Sequence, residues 1–232
     1  MRHMLLLTAT AVAIGAVTLG ACASPRERAE RNRPLAVNPS AIIAAELAFN
    51  RLAQDKGMVH AFRETAHKDA VMFVPQRVRA HDWLRTGDLG QGVSWSPHAV
   101  YVSCDGSAGA TTGGWTGPNS SHGYFTKVWL RDRDGGFSWT LYNGVPLTGA
   151  RREAPEFIEA RQARCGSRPA VTIETGSEGD DLAIGLAADQ TLSWRSLVKP
   201  DGSRTITIRM WDGASMQNVI ADVVAAPAKP GS

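Results

Sequence analysis

Residues 124–143 constrain the fold of this chain more than any other stretch, because they carry both the pattern and the turn chemistry of a β-hairpin. From Tyr124 to Arg131 the side chains alternate: Tyr124, Thr126, Val128 and Leu130 share one face, and Phe125, Lys127 and Trp129 share the other. Asp132-Arg133-Asp134-Gly135-Gly136 supplies residues that tolerate a tight turn, and Phe137 to Asn143 returns with Phe137, Trp139 and Leu141 expected on one side. The period of two extends upstream. Val100 and Val102 alternate with Tyr101 and Ser103, Cys104-Asp105-Gly106 turns, and Ala108 to Trp115 is a strand of small residues. Residues 95–143 therefore read as one wrapped antiparallel layer.

Before this layer the period is helical. Ile42, Ile43, Leu47, Phe49, Leu52 and Ala53 predict a helix over 40–56, capped by Ser40 and ended by Gly57. Met58 to Ala66 predicts a second helix, Val71 to Val74 a short strand stopped by Pro75, and Arg79 to Thr86 a third, short helix. After the layer, Arg151 to Arg164 reads as a polar helical linker. A second β-rich stretch follows. Val171-Thr172-Ile173 is expected to pair with Leu182-Ala183-Ile184, and Leu192 to Val198 with Arg204 to Trp211 across a Pro-Asp-Gly turn. Met216 to Val224 is a last strand. The expected organisation is a signal segment (1–21), a tether (22–39), an α+β domain (40–150), a helical linker (151–167), a β-rich extension (168–226) and a tail (227–232).

The N-terminus addresses the compartment. Arg2 and His3 precede an uncharged, mostly apolar run from Met4 to Leu19, of signal-peptide length and short for a bilayer. Leu19-Gly20-Ala21-Cys22 resembles the lipobox of bacterial lipoproteins, in which the cysteine is acylated after cleavage. The resemblance implies lipidation at Cys22, and Ala23 resembles the signal for passage to the outer membrane. Four arginines, two glutamates and three prolines in residues 23–39 leave little to bury, as in a solvated tether. Export would place Cys104 and Cys165, the remaining thiols, in an oxidising compartment. A disulfide between them is the main expectation, worth on the order of 4 kcal/mol for a loop of roughly 60 residues; two separate buried thiols are the alternative. Lysine and arginine exceed aspartate and glutamate by 25 − 22 = 3, too few to make a nucleic-acid surface.

Further motifs carry a resemblance. Ala45-Glu46-Leu47-Ala48-Phe49, Ala61-Phe62-Arg63-Glu64 and Lys68-Asp69-Ala70-Val71-Met72-Phe73, with Gly123 to Trp129 and Gly136 to Trp139, resemble the SnoaL-like, nuclear-transport-factor superfamily, in particular its uncharacterised DUF4440-type bacterial members. This covers about residues 40–147. It implies an α+β cone, helices packed on a strongly curved antiparallel sheet, with an apolar cavity open at one end. It also implies a comparison with the ketosteroid isomerase-like relatives, where a carboxylate base faces a tyrosine and a protonated acid. That constellation is not reproduced: Asp69 reads as a turn or capping residue, and Phe49 stands where a tyrosine is expected.

The residues expected to line the cavity are Trp95, Trp115, Trp129, Trp139, His98, Asp105 and His122, with core filling as the competing role of the tryptophans. Asp69, Asp105, His98 and His122 are the titratable candidates for an acid–base pair. His60, Glu64 and His67 fall at i, i+4 and i+7 but read as a solvated face, so no metal is expected. Thr112 to Gly117 is glycine-rich with no helix after it, so it is no nucleotide loop, and no cofactor is expected. Ser120-Ser121-His122 is no nucleophile and base, because neighbours on an extended chain point apart. The expected protein is a lipid-anchored periplasmic module that binds a small apolar ligand or an envelope partner. The alternative is a cone-type hydrolase, isomerase or dehydratase acting on a small hydrophobic substrate.

Overall fold

A computed structural model describes residues 39–149, 153–167, 169–170 and 175–227. The expectations for the signal segment, Cys22, the tether, the strand at Val171–Ile173 and the end of the tail lie outside these residues. Among the described residues no helix is long and apolar enough to cross a membrane.

The described residues open with helix α1 (Ser40–Lys56), which buries Ile42, Glu46, Phe49 and Ala53 along one stripe. Pro39, not Ser40, occupies the N-cap. Gly57 ends the helix at φ +90, a backbone conformation that favours glycine, and lets the chain turn directly into α2 (Met58–Glu64). This second helix stops two residues short of expectation because the sheet captures the chain: the Trp139 amide donates to Thr65 O at 2.9 Å. Strand β1 therefore begins early (Ala66–Phe73) and is followed by β2 (Arg77–Arg79) and a single helical turn, α3 (Ala80–Trp83).

The expected antiparallel strands form as β3 (Ser94–Val102), β4 (Ala108–Thr116), β5 (His122–Arg131) and β6 (Phe137–Pro146). Together with β7 (Glu159–Gln162) they make a seven-stranded sheet in the order β2-β1-β6-β5-β4-β3-β7. β7 corrects the helical linker. Residues 159–162 pair in parallel with Ala99–Val102, and Ala163 N continues the ladder to Val102 O. The open edge of β3 offers a row of backbone partners, and that tertiary gain overrides the local preference of a Glu-Ala-Arg-Gln stretch for helix.

Two β-bulges change which side chains share a face. Between β5 and β6 the register shifts so that Val128 faces Leu141 while Trp129 faces Trp139, with Thr140 as the extra residue. Trp139 then lies on the helix side and Leu141 on the opposite side, not together as the simple alternation implies. Between β3 and β4 the extra residue is His98. Opposite it, a Cβ on Gly113 would stand 2.0 Å from Ser96 O, so only glycine allows the strands to close there.

The β-rich extension is a separate antiparallel sheet, ordered β11-β10-β9-β8, from β8 (Asp181–Leu186), β9 (Leu192–Val198), β10 (Arg204–Trp211) and β11 (Met216–Val224). It packs on the face of the seven-stranded sheet away from the helices. Leu192, Ile206, Ile208, Met210 and Ile220 meet Tyr101, Ala108, Ala110, Val128 and Leu141 in one core. A second core lies between the helices and the sheet: Ile42, Phe49, Phe62, Met72, Val102, Trp129 and Trp139. The architecture is thus three layers, helices, a seven-stranded sheet and a four-stranded sheet. A buried polar link locks the two sheets: Arg204 Nε donates to Asn143 Oδ1 at 3.0 Å, and Asn143 Nδ2 donates to Asp222 Oδ2 at 3.1 Å.

Cys104 and Cys165 form the expected disulfide. It joins the β3–β4 turn to the segment that follows β7, beside two further ties to the second sheet: Cys104 N donates to Thr191 Oγ1 at 2.8 Å and Arg164 N to Trp211 O at 3.0 Å.

Candidate functional site

The space between the helices and the seven-stranded sheet contains a charged pair. Glu46 sits on the buried stripe of α1, four residues after Ile42 and three before Phe49, so helical spacing aims its carboxylate at the sheet. Lys127 sits on β5 between Phe125 and Trp129. Strand alternation points its side chain with that of Trp129 toward the helices. The two meet with Lys127 Nζ 2.8 Å from Glu46 Oε1, and both side chains are sealed from solvent, at 1% and 0% exposure.

Every acceptor direction of the carboxylate is used. Oε1 accepts from Lys127 Nζ and, at 2.9 Å, from Trp95 Nε1; Oε2 accepts from Thr111 Oγ1 at 2.8 Å and from Trp129 Nε1 at 3.1 Å. The ammonium is held equally closely by rings. It lies 3.4 Å from the centroid of Phe49 and 5.0 Å from that of Trp129, with Phe62, Trp95, Phe125 and Tyr142 all within 6 Å. Burial lowers the Lys127 pKa to about 8, against the attraction of Glu46, which raises it. Burial, reinforced by the charge of Glu46, raises the pKa of Tyr142.

A gap above the pair is lined by Met58, Val93, Trp95, Trp115, Lys127 and Tyr142, among others, and its volume is about 10 Å³. That is the space of about one water molecule. Among the described residues the roomy apolar cavity expected here is not present. Large rings fill it, and the ammonium and carboxylate they enclose are already paired.

The expected pocket residues divide. Trp95 and Trp115 line the gap. Trp129 is buried below it against Glu46, and Trp139 is buried with its Nε1 donating to Phe62 O at 2.9 Å, which makes both core residues. His98 is the bulge residue of β3, where its Nε2 accepts from Gly114 N at 3.3 Å. Asp105 lies in the β3–β4 turn and accepts from Ser103 Oγ and Ser107 N. Burial raises its carboxyl, but those hydrogen bonds outweigh burial and leave its pKa lowered. The ring nitrogens of His122 lie against backbone carbonyls, Nδ1 3.1 Å from Ser120 O and Nε2 2.9 Å from Gly149 O. Asp69 is exposed beside His67 and Lys68. None of these four titratable residues reaches the gap, and they do not converge on one another. His60, Glu64 and His67 fail to share a helical face, since α2 ends at Glu64 and His67 belongs to β1. No group of three metal-ligating side chains occurs among the described residues.

The pair that does meet was visible only as two interruptions: a glutamate on an apolar helical stripe, and a lysine on the apolar side of an alternating strand. Opposite charges, each out of place on a buried face, are a sequence signal for a buried ion pair.

The low Lys127 pKa makes stability depend on pH. The unfolded lysine keeps its proton up to about pH 10.5, whereas the folded one gives it up from about pH 8. In that window the unfolded state binds more protons, so stability rises with pH. Tyr142, its pKa raised, acts in the opposite sense above about pH 10, where the unfolded phenol ionises first. Urea unfolding should therefore give a gain of roughly 2–3 kcal/mol between about pH 7.5 and pH 10, relative to Glu46→Gln/Lys127→Met. A flat or falling difference would refute the desolvated lysine.

No family model matches the chain, and no curated protein matches its sequence. Similar solved structures include nuclear transport factor 2-like and ketosteroid isomerase-like proteins. A putative ketosteroid isomerase from Parabacteroides distasonis is 17% identical at a TM-score of 0.40, the match covering 50% of this chain and 94% of that one. Another putative ketosteroid isomerase, from Shewanella frigidimarina, is 13% identical at 0.38, covering 47% and 98%. A nuclear transport factor 2-like superfamily protein from Salmonella enterica serovar Typhimurium is 15% identical at 0.37, covering 48% and 93%.

Proposed function

We propose that this protein is a non-catalytic binding protein of the bacterial envelope, built on a nuclear transport factor 2-like cone whose interior serves as structural core. One observation carries the reading. The only carboxylate and the only ammonium found together inside the described helix–sheet space are spent on each other and on three further donors, with about 10 Å³ left beside them. A general base needs a free lone pair aimed at its substrate, and Glu46 has none to offer. The lipobox-like Leu19-Gly20-Ala21-Cys22 and the Arg- and Pro-rich stretch after it support attachment through lipid at Cys22 to the periplasmic side of a membrane, with the outer membrane favoured by Ala23.

A second reading has its own observation: a lysine with a pKa of about 8 beside a carboxylate suits a nucleophile or a base. Trinitrobenzenesulfonate labelling at pH 8.5, followed by peptide mass spectrometry, separates the two. For a closed core, Lys56, Lys68 and Lys199 react while Lys127 stays unmodified until the protein unfolds. Labelling of Lys127 as fast as the exposed lysines overturns the closed core and favours an enzyme. Fractionation tests the anchor. Full-length chain should pellet with membranes and Cys22→Ala should not.

A further inference from the structure

An edge strand presents a row of unpaired backbone amides and carbonyls, and proteins blunt such rows with brevity, charge or proline. In the seven-stranded sheet, β2 is three residues long and carries Arg77 and Arg79, and β7 is four residues long and carries Glu159 and Arg161. In the second sheet, β8 begins at Asp181, which pairs with Arg77. β11 has none of these guards. It runs nine residues, Met216–Val224, and among the described strands it pairs with β10 alone. Its one ionisable side chain, Asp222, is 3% exposed and accepts from Asn143 in the core. The rim is therefore uncharged. Val223 is 75% exposed, and Ala221 and Ala225 on the same face are exposed as well.

One device does blunt part of this edge. Ile208 faces Ile220 but Arg209 faces Asn218, so Val219 is a bulge residue. Beyond it, Ile220 to Val224 is regular strand. The chain's own C-terminus leads away from this rim. Pro227 lies against the β9–β10 turn, where a Cβ on Gly202 would stand 3.0 Å from Pro227 Cδ, and 232 − 227 = 5 residues follow it. Residues 23–38 hold four arginines and would set charges against Val223 and Ala221. A second copy of the chain instead brings an identical rim, uncharged and apolar at the same positions.

We infer that two copies of this chain pair through β11, antiparallel about a two-fold axis, and join their second sheets into one. Symmetry and side-chain alternation fix the register. Opposite residues must point to the same face, so the axis passes beside a residue and never between two. An axis at Ala221 runs the pairing into the bulge. An axis at Asp222 sets two carboxylates side by side. An axis at Val223 avoids both: Val223 meets the partner's Val223, Ala221 meets the partner's Ala225, and Asp222 stands opposite the partner's Val224. The backbone groups of both rims are then satisfied, and the most exposed valine of the strand is covered. This pairing goes beyond the binding role proposed above and does not depend on it.

The test uses the full-length chain in the cell fraction that holds it, oxidised with copper phenanthroline and read by non-reducing electrophoresis and intact mass. Val223→Cys should give a dimer of twice the chain mass, at least about fivefold more abundant than that from Ala160→Cys on the exposed edge strand β7 or from the parent. Adding Ala221→Lys/Ala225→Lys sets like charges opposite each other and should cut that dimer at least about fivefold. Adding Ala221→Lys/Ala225→Glu sets opposite charges there and should restore it. All three positions are exposed, so the fold tolerates these changes. Should Val223→Cys accumulate poorly, Ala221→Cys/Ala225→Cys reports the same register. A dimer no stronger than that of Ala160→Cys, a dimer indifferent to the lysine pair, or an adduct of any mass other than twice the chain overturns the inference. Such a failure leaves the closed core and the anchor untouched, because Lys127 labelling and fractionation decide those separately.

Discussion

Lys127→Met is expected to lower the unfolding free energy by about 3–5 kcal/mol, the cost of leaving a buried charge without its partner. Methionine can occupy much of the lysine's space among Phe49, Phe62 and Trp129, so a cavity contributes little. The loss comes from Glu46, which stays enclosed with Trp95, Thr111 and Trp129 still donating but without the Nζ donor that even a deprotonated lysine keeps. Glu46→Gln should cost a comparable amount for the mirrored reason, a desolvated ammonium held by rings alone. The decisive quantity is the interaction energy. Glu46→Gln/Lys127→Met removes both charges and should cost clearly less than the sum of the single substitutions. The cycle is measured by equilibrium urea unfolding. Additive costs, or a Lys127→Met protein as stable as the parent, would show that the ammonium is not desolvated as described.

Removing the disulfide should cost about 4 kcal/mol, because 61 residues separate Cys104 from Cys165 and the bond denies that loop to the unfolded chain. For a folded body of this size the expected fall in Tm is about 8–16 °C. Cys104→Ser/Cys165→Ser is the variant, compared with the oxidised parent in a thermal scan. The same bond tethers β7, whose four residues are all exposed. Their ladder to β3 should lose hydrogen-exchange protection in the variant before the hairpin of β5 and β6 does. An unchanged Tm would mean that the Thr191 and Trp211 contacts alone hold this corner of the molecule.

Legibility varied with how local each cause was. The hairpin at 124–143 was readable because alternation and a Gly-Gly turn act within twenty residues. The helix at 40–56 was readable because its apolar stripe and Gly57 are local too. β7 was not, since its cause is the open edge of β3, some sixty residues away. The bulge at Thr140 was not either, and it moved Trp139 from the Leu141 side to the helix side. Of the seven expected pocket residues Trp95 and Trp115 line the gap and the other five lie elsewhere, for related reasons. His98 became a bulge, Asp105 and His122 became turn and loop anchors, and Trp129 and Trp139 became core. Glu46 and Lys127 were in plain view, yet their meeting depends on how α1 lies across β5.

By itself, the sequence determined the antiparallel hairpin, the helix over 40–56, and the two cysteines available to pair, because each follows from neighbours along the chain. Only the tertiary structure decided that a glutamate and a lysine 81 residues apart in the chain would close the interior, and that the second sheet would cover the opposite face. Those outcomes depend on packing between elements, where burial makes an unpaired charge far more costly than in water and so selects the one arrangement that pairs it.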